Sequence, residues 1–462
     1  MSNESAVKML PLRSEIKVED TWRLEDIFGS DALWESEFES VKGSIAGISA
    51  MEGTLGLSSE QLYQALKFQD EIGNRLSILY TYAHMRYDQD TTNAHYQGLN
   101  DRVKGLHTQV LSGLSFLLPE ILSIDEQRVV EFLQENEALK LYKHVIERIN
   151  LQRPHVLRAD QEALLAMASD VLDASSNTFG MLNNADLEFP SIEDEKGEKV
   201  AVTHGRYIRF LESEDQRVRR DAFKVVYDTY GKYRNTFAST LSSNVKKDNF
   251  YGAVRKYESA RQAALAENNI PEAVYDQLVQ TINGHLPLLH RYVKLRKKVL
   301  GLSELHIYDL YTPLVKNIKM EIEYEEAKGI ILKALAPLGQ EYLNVLQTGF
   351  SERWVDVHEN KGKRSGAYSS GTYGTSPYIL MNWQNNVNNL FTLAHEFGHS
   401  VHSYYTRKNQ PLPYGDYSIF VAEVASTCNE ALVNHYLLNT IEDDQKRLYL
   451  LNHYLEGFRG TV

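Results

Sequence analysis

Apolar positions recur at helical intervals along most of the chain. Trp34, Phe38, Val41 and Ile45 follow one another at spacings of four, three and four, which puts them on one face of a helix. Ser58-Ser59-Glu60 precedes Leu62, Leu66, Ile72, Leu76 and Leu79. A serine cap and an early carboxylate at the positive end of the dipole predict the start of a long helix there. Comparable patterns run from Asp125 to Asn183. These stripes are read as core packing.

Two stretches break the periodicity. LEFPSIEDEKGEKVAV, Leu187 to Val202, sets a charged, glycine-containing turn between short apolar segments and predicts a β-hairpin. The helical pattern restarts at Thr203, a plausible cap, so a domain boundary is expected here, between residues 1–200 and 201–462. The second break is Trp354 to Trp383. It predicts a strand, a polar turn, a Gly/Ser/Tyr-rich segment and a short apolar strand, Tyr378 to Met381. The expected class is mainly α, with a small β element beside the most informative helix.

Composition narrows the function. Forty-nine basic residues against 62 acidic ones leave a net charge of −13, and no dense Lys/Arg run offsets it, so nucleic acid is not the expected partner. A single cysteine, Cys428, excludes an internal disulfide framework and a cysteine-rich zinc module; on an apolar helix it is expected to be a small core residue. The opening MSNESAVKML lacks the apolar core of a signal peptide, and the stretch Val110 to Leu122 is broken by Pro119 and Glu120. No membrane span and a cytoplasmic location are expected.

The chemistry gathers in LFTLAHEFGHSVHSYYT, Leu390 to Thr406. Leu390, Ala394, Phe397, Val401 and Tyr404 form an apolar stripe, so a helix is expected. His395 and His399 then project from one face, close enough to share one metal ion. Glu396 follows the first histidine and can reach a water held there. This HExxH arrangement pairs two zinc-binding imidazoles with a glutamate general base. A third ligand must come from elsewhere, because His402 and Tyr405 occupy the positions where a longer zinc signature would carry glycine and histidine. The helix expected over Asp416 to Leu438 offers Glu423, Glu430 and Asp416, and spacing does not choose among them. His402 is read as a surface or supporting residue.

At this point the sequence resembles a known family. HEFGHSVHS followed by FVAEVAST, with GAYSSGTYGTSPYILMNW upstream and LHIYDLYTPL at Leu305 to Leu314, is similar to the thimet-oligopeptidase-like zinc metallopeptidases, within them the oligoendopeptidase F group. The likeness covers roughly Val110 to the end. It implies a two-lobed helical metallopeptidase fold with a deep cleft and zinc at its floor. By residue match, His395, His399 and Glu423 bind zinc and Glu396 is the base. Glu430 then accepts the free N–H of a ligand histidine. Gly366, Ala367, Tyr368, Gly371 and Tyr373 lie on the family's substrate-contacting edge, where glycines allow a peptide backbone close approach.

The expected activity is zinc-dependent hydrolysis of short oligopeptides. The family pattern continues past GFRGTV with helices carrying a histidine and tyrosines. The resemblance therefore raises the expectation of a fragment completed by a complementary C-terminal chain, or of a homo-oligomer. Two rival readings are a zinc-binding but inactive fragment and a helical peptide-binding protein.

Overall fold

The computed structural model describes residues 10–315 and 320–461; the polar terminal stretch 1–9 lies outside them. The chain forms two units, one of Met1–Arg153 with Lys319–Glu442, the other of Pro154–Ile318 with Asp443–Val462. Each is largely helical.

The first unit begins with α1 (Asp31–Ser44), α2 (Ser59–Gln89), α3 (Ala94–Gly113), α4 (Leu117–Ser123), α5 (Glu126–Glu135) and α6 (Lys143–Leu151). Trp34, Phe38 and Val41 are buried along α1, as their spacing requires. Ser58 caps α2 by accepting the Gln61 N–H at 3.2 Å, and Leu62, Leu66, Ile72, Leu76 and Leu79 all turn inward. The Trp34 indole donates to the Leu79 carbonyl at 2.9 Å, so its one polar atom is satisfied inside the core.

The second unit holds α7 (Ala159–Met181), then the expected hairpin, β1 (Ser191–Glu193) antiparallel to β2 (Lys199–Ala201), turned at Gly197 with φ +80°. Thr203 caps the next helix by accepting from Arg206 N. There follow α8 (His204–Leu211), α9 (Gln216–Lys232), α10 (Arg234–Val254), α11 (Ala260–Ala266) and α12 (Glu272–Val299). The hairpin thus lies inside this unit. Among the described residues, no helix is long and apolar enough to cross a membrane.

The chain then returns to the first unit through α13 (Tyr324–Ala334) and α14 (Gln340–Ser351). Next come β3 (Val355–His358), β4 (Tyr368–Ser370), β5 (Tyr378–Trp383), α15 (Val387–Asn409) and α16 (Ile419–Thr440); α17 (Asp444–Thr461) belongs to the second unit. The sheet order is β3-β5-β4, with β3 parallel and β4 antiparallel to β5. Tyr378 and Leu380 of β5 join the core built by α1 to α6, which seats the sheet on the helices. β4 is left as an edge strand next to α15.

Candidate metal centre

Asn386 starts α15, its side chain accepting the Asn389 N–H at 2.9 Å. Leu390, Ala394, Phe397 and Val401 are buried, and Tyr404 is half-buried. That stripe fixes the rotation of the helix, so His395 and His399 face α16. Gly398 lets α16 come close: a Cβ there would stand 2.5 Å from Ser426 Cα and 2.8 Å from the Ala425 carbonyl. Only glycine permits this approach. Glu423, one turn before Ser426, is thereby brought to the two histidines.

The three side chains converge. His395 Nε2 and His399 Nε2 are 3.1 Å apart, and Glu423 Oε2 lies 3.3 Å from the first and 3.5 Å from the second. These donor atoms form the one group of its kind found among the described residues. Two imidazole nitrogens and one carboxylate oxygen are the donor set of a catalytic zinc site, so the residues fit that ion.

The surroundings orient the ligands. Glu430 Oε1 accepts from His395 Nδ1 at 2.5 Å, which leaves Nε2 with its lone pair toward the metal position. That hydrogen bond raises the His395 pKa above its ordinary value, whereas burial lowers that of His399. The Ala422 backbone accepts from His399. Glu396 is 7% exposed, and burial pushes its carboxyl up to about 7. The Ser369 N–H of β4 donates to it. Asn429 donates to the Ala394 carbonyl at 3.0 Å and accepts from the Tyr342 hydroxyl at 2.9 Å, which pins α16 to α15 just above the site.

The other sequence candidates fall around this centre. Asp416 is exposed and outside the metal group. His402 is half-buried, with its ring stacked 3.7 Å from that of Tyr417. Gly366 has φ +87° and its carbonyl accepts from Asn382; Ala367 leads directly into β4. Tyr368 donates to Asp88 at 2.8 Å, so its side chain points to α2. The Gly371 carbonyl accepts from Arg407 at 2.8 Å, and Tyr373 donates to the Gln410 carbonyl.

One expectation is corrected. Cys428 is exposed and not a core residue. The buried face of α16 runs through Ala422, Ser426, Asn429, Val433 and Leu437, and Cys428 lies off it. The carboxylates of α16 reach solvent: the Glu423 side chain is 60% and that of Glu430 36% exposed. Their cost is met by solvent and by the histidines, not by the apolar neighbours along the helix.

Ser369 was not singled out by sequence. Its N–H holds Glu396 and its hydroxyl pairs with Ser400 at 2.8 Å. Strand alternation carries the signal, because a side chain following Tyr368 must point to the opposite face. Asn429 and Tyr342 were missed as well, and nothing in their spacing marks them.

Known proteins resemble this chain over most of its length. The family model described as peptidase family M3 matches residues 209–461, and that described as oligopeptidase F matches residues 120–189. Oligopeptidase PepF of Bacillus subtilis is 64% identical over 462 residues, covering 100% of this chain and 69% of the relative. Group B oligopeptidase PepB of Streptococcus agalactiae is 46% identical, covering 97% of this chain and 75% of its own length. The crystal structure of oligoendopeptidase-F from Enterococcus faecium superposes with a TM-score of 0.67 at 41% identity, over 94% of this chain and 72% of that one.

Proposed function

The chain belongs to peptidase family M3 and is a metallopeptidase of oligopeptides; from that premise we propose that its metal is zinc, held by His395, His399 and Glu423. The separations of 3.1, 3.3 and 3.5 Å among the three donor atoms carry this reading. Four ligands placed tetrahedrally around zinc stand about 3.3 Å from one another. A set of three leaves the fourth position open for chemistry.

Zinc bound there would supply Lewis acidity toward a peptide carbonyl and lower the pKa of a neighbouring water. Glu396 accepts the proton of the attacking water and returns it to the leaving nitrogen. The Ser369 N–H holds that carboxylate in place before substrate arrives. Glu430 keeps His395 in the tautomer that presents Nε2. The substrate lies extended along β4, the free edge of the sheet, with Gly366, Ala367, Tyr368, Gly371 and Tyr373 along its path. Short unstructured peptides are the substrate class, in keeping with the oligopeptidases to which the chain is similar.

Elemental analysis coupled to a quenched-fluorescence peptide assay tests the reading. About one zinc per chain is expected, with hydrolysis lost on chelation and regained on adding zinc. Absence of bound metal after careful zinc reconstitution would overturn it.

A further inference from the structure

β4 is three residues long and pairs within its sheet on one side only, with β5. A strand so short needs support from its faces. Alternation supplies it, because Tyr368 and Ser369 point to opposite faces. On one face the Ser369 hydroxyl meets that of Ser400, a fully buried residue of α15, at 2.8 Å. On the other, the Tyr368 ring lies against Trp22 and His84, with ring centres 6.2 and 5.9 Å away. Its hydroxyl donates to Asp88 Oδ2 of α2 at 2.8 Å.

Asp88 is 1% exposed. A carboxylate buried to that degree is costly unless donors surround it. The same Oδ2 is 3.2 Å from His84 Nε2 and 3.3 Å from Arg364 Nη1. Burial lowers the His84 pKa, so the ring meets Asp88 as a neutral N–H donor. Burial and Asp88 raise the Tyr368 pKa, so the phenol keeps its proton. An apolar pair would seat the ring at less cost, but a hydrogen bond also fixes its direction and depth. The backbone repeats the attachment. The Arg364 N–H donates to the Asp88 carbonyl at 3.0 Å, and the Thr91 N–H to the Gly362 carbonyl at 2.7 Å. The connection that enters β4 is therefore tied to the end of α2.

We propose that Asp88 is a positioning residue: through Tyr368 it holds β4 at the depth where the Ser369 N–H meets Glu396. Ser369 follows Tyr368 directly, so a shift of the tyrosine moves the donor to Glu396. Asp88 itself lies outside the metal group. The Tyr368 hydroxyl serves Asp88 and not the substrate. The clamp stands on geometry alone, whereas its consequence for turnover rests on the peptidase reading above.

Tyr368→Phe removes one oxygen and keeps the ring packed. In the zinc-loaded full chain, kcat on a quenched-fluorescence peptide should fall about 10- to 100-fold, with zinc content and KM little changed. Asp88→Ala should match it. Asp88→Asn, whose amide oxygen still accepts the phenol proton, should recover most of the loss. Amide exchange followed by mass spectrometry gives a readout free of activity. The peptide covering residues 366–371 should exchange faster in Tyr368→Phe than in wild type, while α15 keeps its protection. Unchanged exchange there would overturn the clamp. Unchanged kcat, or a rise in KM alone, would overturn its role in the reaction. Should Asp88→Ala not fold, Tyr368→Phe and Asp88→Asn decide. If wild type never hydrolyses a peptide, the peptidase reading falls, and the exchange comparison still decides the clamp.

Discussion

Glu430 Oε1 lies 2.5 Å from His395 Nδ1, on the side of the ring away from Glu423. One histidine is thus gripped by two carboxylates of one helix, seven residues apart. They are expected to fail differently. On the proposed assignment, Glu423→Ala removes a metal ligand, whereas Glu430→Ala removes only the group that orients one. Loss of an orienting partner typically weakens metal affinity or activity about 10–100-fold, and loss of the ligand should exceed that. Competition against a graded chelator ranks the two variants. The reverse order would exchange their roles.

Glu396→Gln preserves the shape of the side chain and its contact with the Ser369 N–H, but an amide cannot take up a proton. Zinc content should stay at the wild-type level while turnover falls about 10²–10⁴-fold. Parallel metal analysis and peptide assay of the same preparation provide the check. Near-full activity would remove Glu396 from the role of base.

Much of the candidate metal centre was legible because it follows from local periodicity. Stripes of apolar residues gave α1, α2 and α15, and the caps Ser58 and Thr203 stand where short polar side chains precede those patterns. HExxH sits on the helix that its own stripe predicts. α16 was harder. It is apolar nearly all round, so its sequence has no favoured face, and the face that is buried carries Ser426 and Asn429. Those small and polar residues follow from the close approach at Gly398, which is a tertiary fact. Cys428 was misplaced for that reason. For the same reason spacing left Glu423, Glu430 and Asp416 open, and the family resemblance supplied the choice. Long-range pairing was also out of reach: β3 and β5 run parallel with β4 beyond them, and local pattern does not give sheet order.

Gly398→Ala should test whether helix proximity builds the centre. The added methyl would collide with backbone, Ser426 Cα and the Ala425 carbonyl, and not with the far end of a flexible side chain. α16 must move, and Glu423 moves with it. Overpacking of this kind costs about 1–3 kcal/mol. The variant should fold with a lower urea midpoint and bind zinc much more weakly than its stability loss alone would suggest. Unchanged zinc affinity would mean that Glu423 adjusts independently of its helix.

The last expectation concerns acid stability, away from the metal. Asp356 of β3 and Lys363 both have fully buried side chains, joined at 2.6 Å, and Arg13 adds a second cation to the same carboxylate. Burial alone would push the Asp356 pKa up, but Lys363 and Arg13 outweigh it and hold the carboxyl below its usual range. The sign follows from that depression. The charged form is favoured in the folded state, so its contribution is present above the unfolded pKa, about 3.9, and is lost as pH falls through the lower folded value. Asp356→Asn leaves two cations with an uncharged partner in a dry site and should cost about 3–5 kcal/mol at neutral pH. The gap between wild type and variant should hold down to about pH 4 and narrow below it. Urea midpoints measured at a series of pH values give both quantities. A gap that stayed constant to pH 2 would mean that the carboxylate's charge does not hold this corner of the sheet together.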